Sequence, residues 1–245
     1  MKIKKILISQ PKPLNASPYS DLVSKYGVSV DFHPFFKMEP LTAKEFRAQK
    51  INILDYTAII FTSRTTIDAF FRLCEELRIA VPETMKYFCA SESIALYLQK
   101  YIVYRKRKIF FGDGTQASIV TAIGTKHKDE KFLIAATDCN KNDIQKIFVK
   151  TKFQYNSAVF VKTINSNLAE FHLDEYQMVV FYSPSDVKSL LDNFPEFDQK
   201  ELQIATFGPA TAKAVKSAGL NSIITAPTPE APSIAKAITL YLDKK

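Results

Sequence analysis

The sequence predicts an α/β protein of two similar domains, each carrying a parallel sheet, and three observations support that prediction. First, short apolar runs rich in Val, Ile and Phe alternate with amphipathic helical patterns along the chain, and most of the runs lack period-2 alternation. Such runs fit strands buried on both faces, and strands joined through helices pair in parallel by right-handed crossovers. Second, FTSRTTIDAFF at 61–71 is echoed by FYSPSDVKSLL at 181–191. An apolar run, a hydroxyl-rich turn and a helical pattern thus recur, with Ser63 and Ser183 placed 120 residues apart (183 − 63). Third, the echo continues in order: YFCASESIALYLQKY (87–101) resembles ATFGPATAKAVKSAG (205–219), and FFGDGTQASIVTAI (110–123) resembles ITAPTPEAPSIAKAI (224–238). A chain of 245 residues has the length for two domains, and a duplication explains three ordered units better than one long sheet.

In chain order, strands are expected at KKILIS (4–9), VSVDFHPF (28–35), AIIFTS (58–63), KYFCAS (86–91), KIFFG (108–112), KFLIAA (131–136), AVFVKT (158–163), MVVFYS (178–183), QIATFG (203–208) and SIITA (222–226). Between them, the pattern at 65–79 sets Ile67, Phe70, Phe71, Cys74 and Leu77 on one helical face. The pattern at 185–194 does the same with Val187, Leu190 and Leu191. The stretch 209–219 begins on proline and ends on glycine, the expected asymmetry of helix ends, and 231–242 supplies a last helix.

Composition narrows the class. Hydrophobic residues make up 47%, enough for full cores, and the net charge is +8. That charge fits an acidic partner (nucleic acid, a membrane surface or a polyanionic small molecule), or serves solubility alone. Three cysteines, Cys74, Cys89 and Cys139, with no CxxC spacing argue against a disulfide framework or a zinc site. The apolar run after the basic start, Ile6 to Ile8, is too short for a signal peptide, and no run reaches the roughly 18 apolar residues of a membrane span. A soluble, cytoplasmic protein is expected.

The repeated turns stand at the carboxyl ends of strands, where open α/β sheets bind ligands. Each turn opens a helix, so free N–H groups and the positive end of the helix dipole face that edge. Ser63, Thr65, Ser183, Ser185, Thr211 and Thr228 add hydroxyls. Such a lining suits carboxylates or phosphates; the same residues also serve as plain N-caps. The signatures GxxxxGK[ST], GxGxxG, HExxH and GxSxG are all absent. His33, His127 and His172 lie in unrelated contexts, His127 within what reads as a polar turn. Cys139 follows a strand and is either a nucleophile or a small packing residue, with packing favoured. Asp138 and Asp143 lack the spacing of a calcium loop. The run YRKRK (104–108) suits a nucleic-acid contact or, with Tyr101, Val103, Ile109 and Phe110 interleaved, a basic-faced edge strand; the edge strand is favoured.

Taken together, IIFTS with its following helix, VVFYSPSDV, ATFGPATAKAVKSAG and APTPEAPSIAKAI resemble the uroporphyrinogen-III synthase family, in the family's order and over nearly the whole chain. EFRAQKINILDYTAIIFTSRTTIDAFF and YLQKYIVYRKRKIFFGDGT look like the Bacteroidetes branch of it. The resemblance implies two flavodoxin-like α/β domains, one inserted in the other and joined by a two-stranded linker, with substrate in the cleft between them. The domains would be 1–33 with 166–245, and 38–158; the linkers would be 34–37 and 159–165. The implied substrate is hydroxymethylbilane, a linear tetrapyrrole polycarboxylate that suits the +8 charge. It would lose its terminal hydroxyl and close with inversion of ring D, without cofactor or metal. Hand-over from hydroxymethylbilane synthase, a monomeric state, and no nucleic-acid or membrane partner are also implied.

By the same resemblance, Thr211 is the candidate catalytic residue. Ser63 and Ser183 line the cleft, with Thr65, Pro184 and Ser185 beside them and Thr228 in the later turn as further binding candidates. Thr206, Pro209 and Ala210 offer backbone contacts, and Arg64 and Lys213 either pair with carboxylates or are solvated surface charges. Two departures stand out. Many relatives carry a tyrosine in the second linker strand, where this chain has Val161, flanked by Lys162 and Thr163. The counterpart of GPATA reads ASESIA, with Ile94 for a family threonine and Ser93 beside it. These departures leave open a relative that binds a tetrapyrrole or another polyanion without turning it over.

Overall fold

The computed structural model describes residues 2–14 and 17–244. The chain falls into two compact units, residues 1–37 with 164–245, and residues 38–163. Its elements begin with β1 (Lys5–Ile8), α1 (Ser20–Tyr26), β2 (Ser29–Phe32), β3 (Phe36–Pro40) and α2 (Ala43–Arg47). They continue with β4 (Ala58–Phe61), α3 (Arg64–Glu76), β5 (Lys86–Cys89), α4 (Glu92–Tyr97), β6 (Ile109–Phe111), α5 (Gln116–Ile123), β7 (Lys131–Thr137) and α6 (Lys141–Phe148). The chain then forms β8 (Gln154–Asn165), β9 (Met178–Phe181), α7 (Pro184–Asn193), β10 (Gln203–Phe207), α8 (Pro209–Ser217), β11 (Ser222–Ala226) and α9 (Ile234–Asp243). No helix among the described residues is long and apolar enough to cross a membrane.

The first unit holds a five-stranded sheet in the order β11-β10-β9-β1-β2, paired in parallel throughout. The second holds a six-stranded sheet in the order β3-β8-β7-β4-β5-β6, with parallel pairing from β8 to β6. The central strands are mostly apolar because both faces are covered. In β1, Ile6 and Ile8 join one core cluster while Leu7 joins the other; in β4, Ile59 and Phe61 face one core and Ala58 and Ile60 the opposite one. This is the physical origin of the runs without alternation.

The second unit's larger core is built around phenylalanine. Phe70 of α3 meets Phe61 edge-on at 5.5 Å and Phe160 of β8 at 5.7 Å, and Phe46 of α2 closes on Phe160 at 4.9 Å. A side chain fastens the same strand: the Gln49 amide donates to the Val159 carbonyl and its oxygen accepts the Val159 N–H, both at 2.8 Å. The amide stands in for a neighbouring strand at that point, so both backbone groups are satisfied.

The structure corrects several local expectations. The pattern at 28–35 forms only β2, which ends at Phe32; His33–Phe35 leave the strand, and β3, not expected as a strand, starts at Phe36. Pro34 has no N–H to donate to a ladder, and its ring keeps His33 extended. The Ser residues expected at the ends of 58–63 and 178–183 belong to helix caps, so β4 and β9 stop two residues earlier. YRKRK is not an edge strand. Tyr104 and Arg105 lie in irregular chain and Lys106–Lys108 in a turn ahead of the short edge strand β6, with Arg105 paired to Glu83 at 3.3 Å. His127 is in a turn, but at 7% exposure it is buried, packed on Phe110 at 4.4 Å and Phe88 at 5.5 Å. Burial, with the Lys86 charge nearby, holds it below its ordinary pKa. Cys139 is exposed rather than packed, unlike Cys74 and Cys89.

Phe70→Ala is expected to destabilise the second unit by about 3–5 kcal/mol, since three aromatic rings lose a partner the backbone cannot replace. Urea unfolding followed by circular dichroism measures it. A change under about 1 kcal/mol would show that the cluster is not the packing centre.

Candidate functional site

In both units, helices begin within a few residues of strand carboxyl ends, and the question at each start is whether its N–H groups are already occupied. Between β9 and α7 most of them are. Ser183 Oγ accepts the Asp186 N–H at 3.4 Å, and Asp186 Oδ2 accepts the N–H groups of Tyr182 at 2.9 Å and Ser183 at 2.8 Å. Pro184 at the first helical position adds no donor. Asp186 is only 1% exposed. Its second oxygen and the buried Ser9 hydroxyl beside it lack well-formed partners. Burial pushes its carboxyl above the usual range, against the lowering effect of the bonds it accepts. A carboxylate of the chain itself therefore occupies the α7 start.

The start of α8 differs. Gly208, at φ 88° and ψ 147°, turns the chain from β10 into the helix, and no side chain caps it. That φ favours glycine. Gly208 is tied by its own N–H to the Ala226 carbonyl at 2.6 Å. Ahead of the first intrahelical bond, from Ala212 N–H to the Gly208 carbonyl at 3.2 Å, the early amides are open to a ligand. Pro209, Ala210 and Lys213 are exposed here. An uncapped helix start with a cation one turn in is an anion-binding arrangement.

On the second unit, Ser63 Oγ accepts the Thr66 N–H at 3.2 Å and so caps α3. Ser63 and Thr65 line a cavity of about 370 Å³ together with Thr62, Thr137, Cys139 and Asn140. The Thr62 hydroxyl is buried without a partner. Asn140 precedes α6, whose start has no side-chain cap; the Asn140 oxygen instead accepts the Thr137 N–H at 2.8 Å. The Cys139 thiol lies 3.1 Å from the Thr137 hydroxyl. Next to it, Asp138 accepts both the N–H and the hydroxyl of Thr163, each at 2.8 Å.

Placed on this geometry, the residues expected from sequence separate. Ser63 and Thr65 share one cavity, and Pro209, Ala210, Thr211 and Lys213 share the α8 start. Ser183, Pro184 and Ser185 stand at the occupied α7 start. Arg64 lies over the Tyr97 ring at 5.4 Å, and Ser93 faces Ser91 at 3.1 Å on the short α4. Thr228 accepts the Ala231 N–H at 3.1 Å in a turn. Lys162 is committed to Glu45 at 2.6 Å, a contact that, with the Thr42 bonds, holds the Glu45 carboxyl at about 2. Three positions are enclosed. Thr206 has no exposure, its backbone is in the ladder and its hydroxyl donates within the sheet. Thr211 is 2% exposed. Val161 is fully buried in the phenylalanine-rich core. Thr206 therefore has neither exposed surface nor a free backbone group at its edge. Sequence reasoning missed Thr62, Thr137, Asn140 and the capping role of Asp186. A strand ending in Thr137-Asp138 ahead of a helix carried the same signal as the one ending at Ser63.

The chain matches the family model described as uroporphyrinogen-III synthase HemD over residues 17–236. Among solved structures it is similar to a mutant uroporphyrinogen III synthase from the extreme thermophile Thermus thermophilus, at 13% identity and TM-score 0.60, covering 99% of this chain and 100% of that one. It is also similar to uroporphyrinogen-III synthetase from Helicobacter pylori 26695, at 16% identity and TM-score 0.58, covering 99% and 100%. At these identities the structures show a shared fold. A search by sequence against curated proteins gives no match.

The buried carboxylate makes a prediction about stability. Because burial raises the folded-state pKa of Asp186, its contribution is most favourable at low pH and is lost as pH rises through that raised value. Asp186→Asn keeps an oxygen for the two N–H groups and removes the charge. It is expected to unfold at higher urea than the parent at about pH 8 and to lose that advantage by about pH 3.5. An Asn variant less stable at the higher pH would show that the ionised cap outweighs its burial.

Proposed function

This chain belongs to the uroporphyrinogen-III synthase family, and we propose that it closes hydroxymethylbilane into uroporphyrinogen III as a lyase, releasing water and inverting ring D. The observation that carries the reading is the uncapped start of α8 at a strand carboxyl edge, beside Lys213 in a chain of net charge +8. It is a ready site for a substrate carboxylate. Within the second unit, the Ser63–Thr65 cavity and the start of α6 offer donors of the same kind.

The chemistry asks these residues chiefly for position. A bilane that loses its terminal hydroxyl leaves a reactive cation, and the product isomer depends on which carbon of ring D meets it. Holding the acidic side chains on fixed amides orients the ring without a titrating residue, and such pre-orientation is a large source of rate. Buried Thr211 supports this arrangement through its backbone at the open start. Val161, enclosed in the core, supplies no hydroxyl to assist the loss of water. That enclosure also favours a second reading, in which the chain binds a tetrapyrrole or another polyanion without turning it over.

Product analysis separates the two. Hydroxymethylbilane made in situ closes spontaneously to the type I isomer. The chain is expected to turn the product over to type III, read as oxidised uroporphyrins by chromatography, and folded protein giving only type I would overturn the catalytic reading. Ala210→Asp sets a carboxylate at the open helix start. It is expected to raise KM roughly five- to thirtyfold, from about 1–2 kcal/mol of lost helix-end attraction and added repulsion, with a smaller effect on kcat. An unchanged KM would remove α8 from the binding site.

A further inference from the structure

The largest cavity described, about 780 Å³, is not at a carboxyl edge. It lies at the opposite, amino end of the first unit's sheet, where Gln177 leads into β9 and Leu202 into β10. Its apolar lining is Phe171, Leu173, Phe194, Phe197 and Leu202, each half-buried against the core beneath. Around them stand four exposed carboxylates, Asp174, Glu196, Asp198 and Glu201. Among the described residues none of the four has an ion-pair partner, although Lys200 lies in the same lining. A concentration of unpaired negative charge about an aromatic surface is conspicuous in a chain whose net charge is +8.

The walls are braced before any ligand arrives. The Gln199 amide donates to the carbonyls of Leu202 at 3.0 Å and Asn221 at 2.8 Å, and its oxygen accepts the Asn221 N–H at 2.8 Å. On the other side, Asn193 accepts the Leu168 N–H at 3.0 Å and donates to the carbonyls of Ser166 at 3.0 Å and Ser189 at 2.8 Å. Pre-formed pockets of some 300–1,000 Å³ with an apolar floor and a few polar groups are the usual form of a small-molecule site, and bracing lowers the ordering cost of binding.

The geometry points to a second ligand site here, for an apolar organic cation: an amine, amidinium or onium group on an aromatic or aliphatic body. The aromatic faces take the body and attract the charge, and the carboxylates select its sign. A polycarboxylate is repelled, so the ligand is of the opposite chemistry to the substrate proposed above, and the inference stands whether or not that reading does.

Tetraphenylphosphonium and tetraphenylborate test it, being nearly the same shape with opposite charge. The chain contains no tryptophan, so Phe197→Trp and, separately, Phe171→Trp each supply a single fluorescent reporter in the cavity. The cation is expected to shift the reporter's emission with an affinity at least roughly tenfold above that of the anion, and the difference should narrow as salt rises. In the full chain, the triple change Glu196→Gln, Asp198→Asn and Glu201→Gln alters exposed side chains only. It is expected to cut cation affinity roughly tenfold by calorimetry and abolish the preference, with circular dichroism unchanged. Equal affinity for both ions, no binding of the cation, or cation binding indifferent to the triple change would each overturn the proposal.

Discussion

A parallel strand cannot return through a tight hairpin; the chain must cross over before it pairs again. In this protein that constraint is met mainly by helices, and it decides where they begin. Helices α3, α4 and α7 start three residues after β4, β5 and β9 end, and α8 starts two residues after β10. Because these strands run parallel within each sheet, the helix starts collect on one edge of it. The unsatisfied amides of each first turn are therefore gathered by topology, before any particular side chain is considered.

Side chains then decide which of those starts remain available. Ser63 closes part of the α3 turn, and Ser183 with Asp186 closes the α7 turn more completely, placing a negative charge where an anionic ligand would otherwise sit. Helix α8 opens on Gly208-Pro209, a pair without a polar side chain, and stays uncapped. A cap and an anion compete for the same donors, so the most hydroxyl-rich turn is not the most receptive one. The charged partner of Lys162 acts in the same way: Glu45 takes the cation that sequence alone leaves free for a carboxylate.

Burial sets the other limit on chemistry. Val161 shares a core with Phe46, Phe70 and Phe160, where a phenol would have to find a hydrogen-bond partner or lose solvation. The neighbouring Thr163, half-buried and fastened to Asp138, remains at the surface of that core. The two ends of the first unit's sheet also differ in character. Its carboxyl edge offers donors and Lys213, while its amino end carries unpaired carboxylates over half-buried rings.

The sequence by itself determined the α/β class and, to within a few residues, most of the strand positions read from apolar runs, because a strand covered on both faces is nearly all apolar, and that demand is local. It also marked the starts of α3, α7 and α8: Ser63 and Ser183 cap amides three residues on, and Pro209 fits a first helical position, where no N–H is needed. It did not determine the burial of His127 under Phe88 and Phe110, the exposure of Cys139, or the enclosure of Thr206 and Val161. Only the tertiary structure decided these. Each depends on partners distant in the chain: the strand that pairs on the far side, the rings that settle above, the carboxylate that reaches a lysine 117 residues away. A residue's own type and spacing carry no record of such partners; they exist only once the sheets have formed.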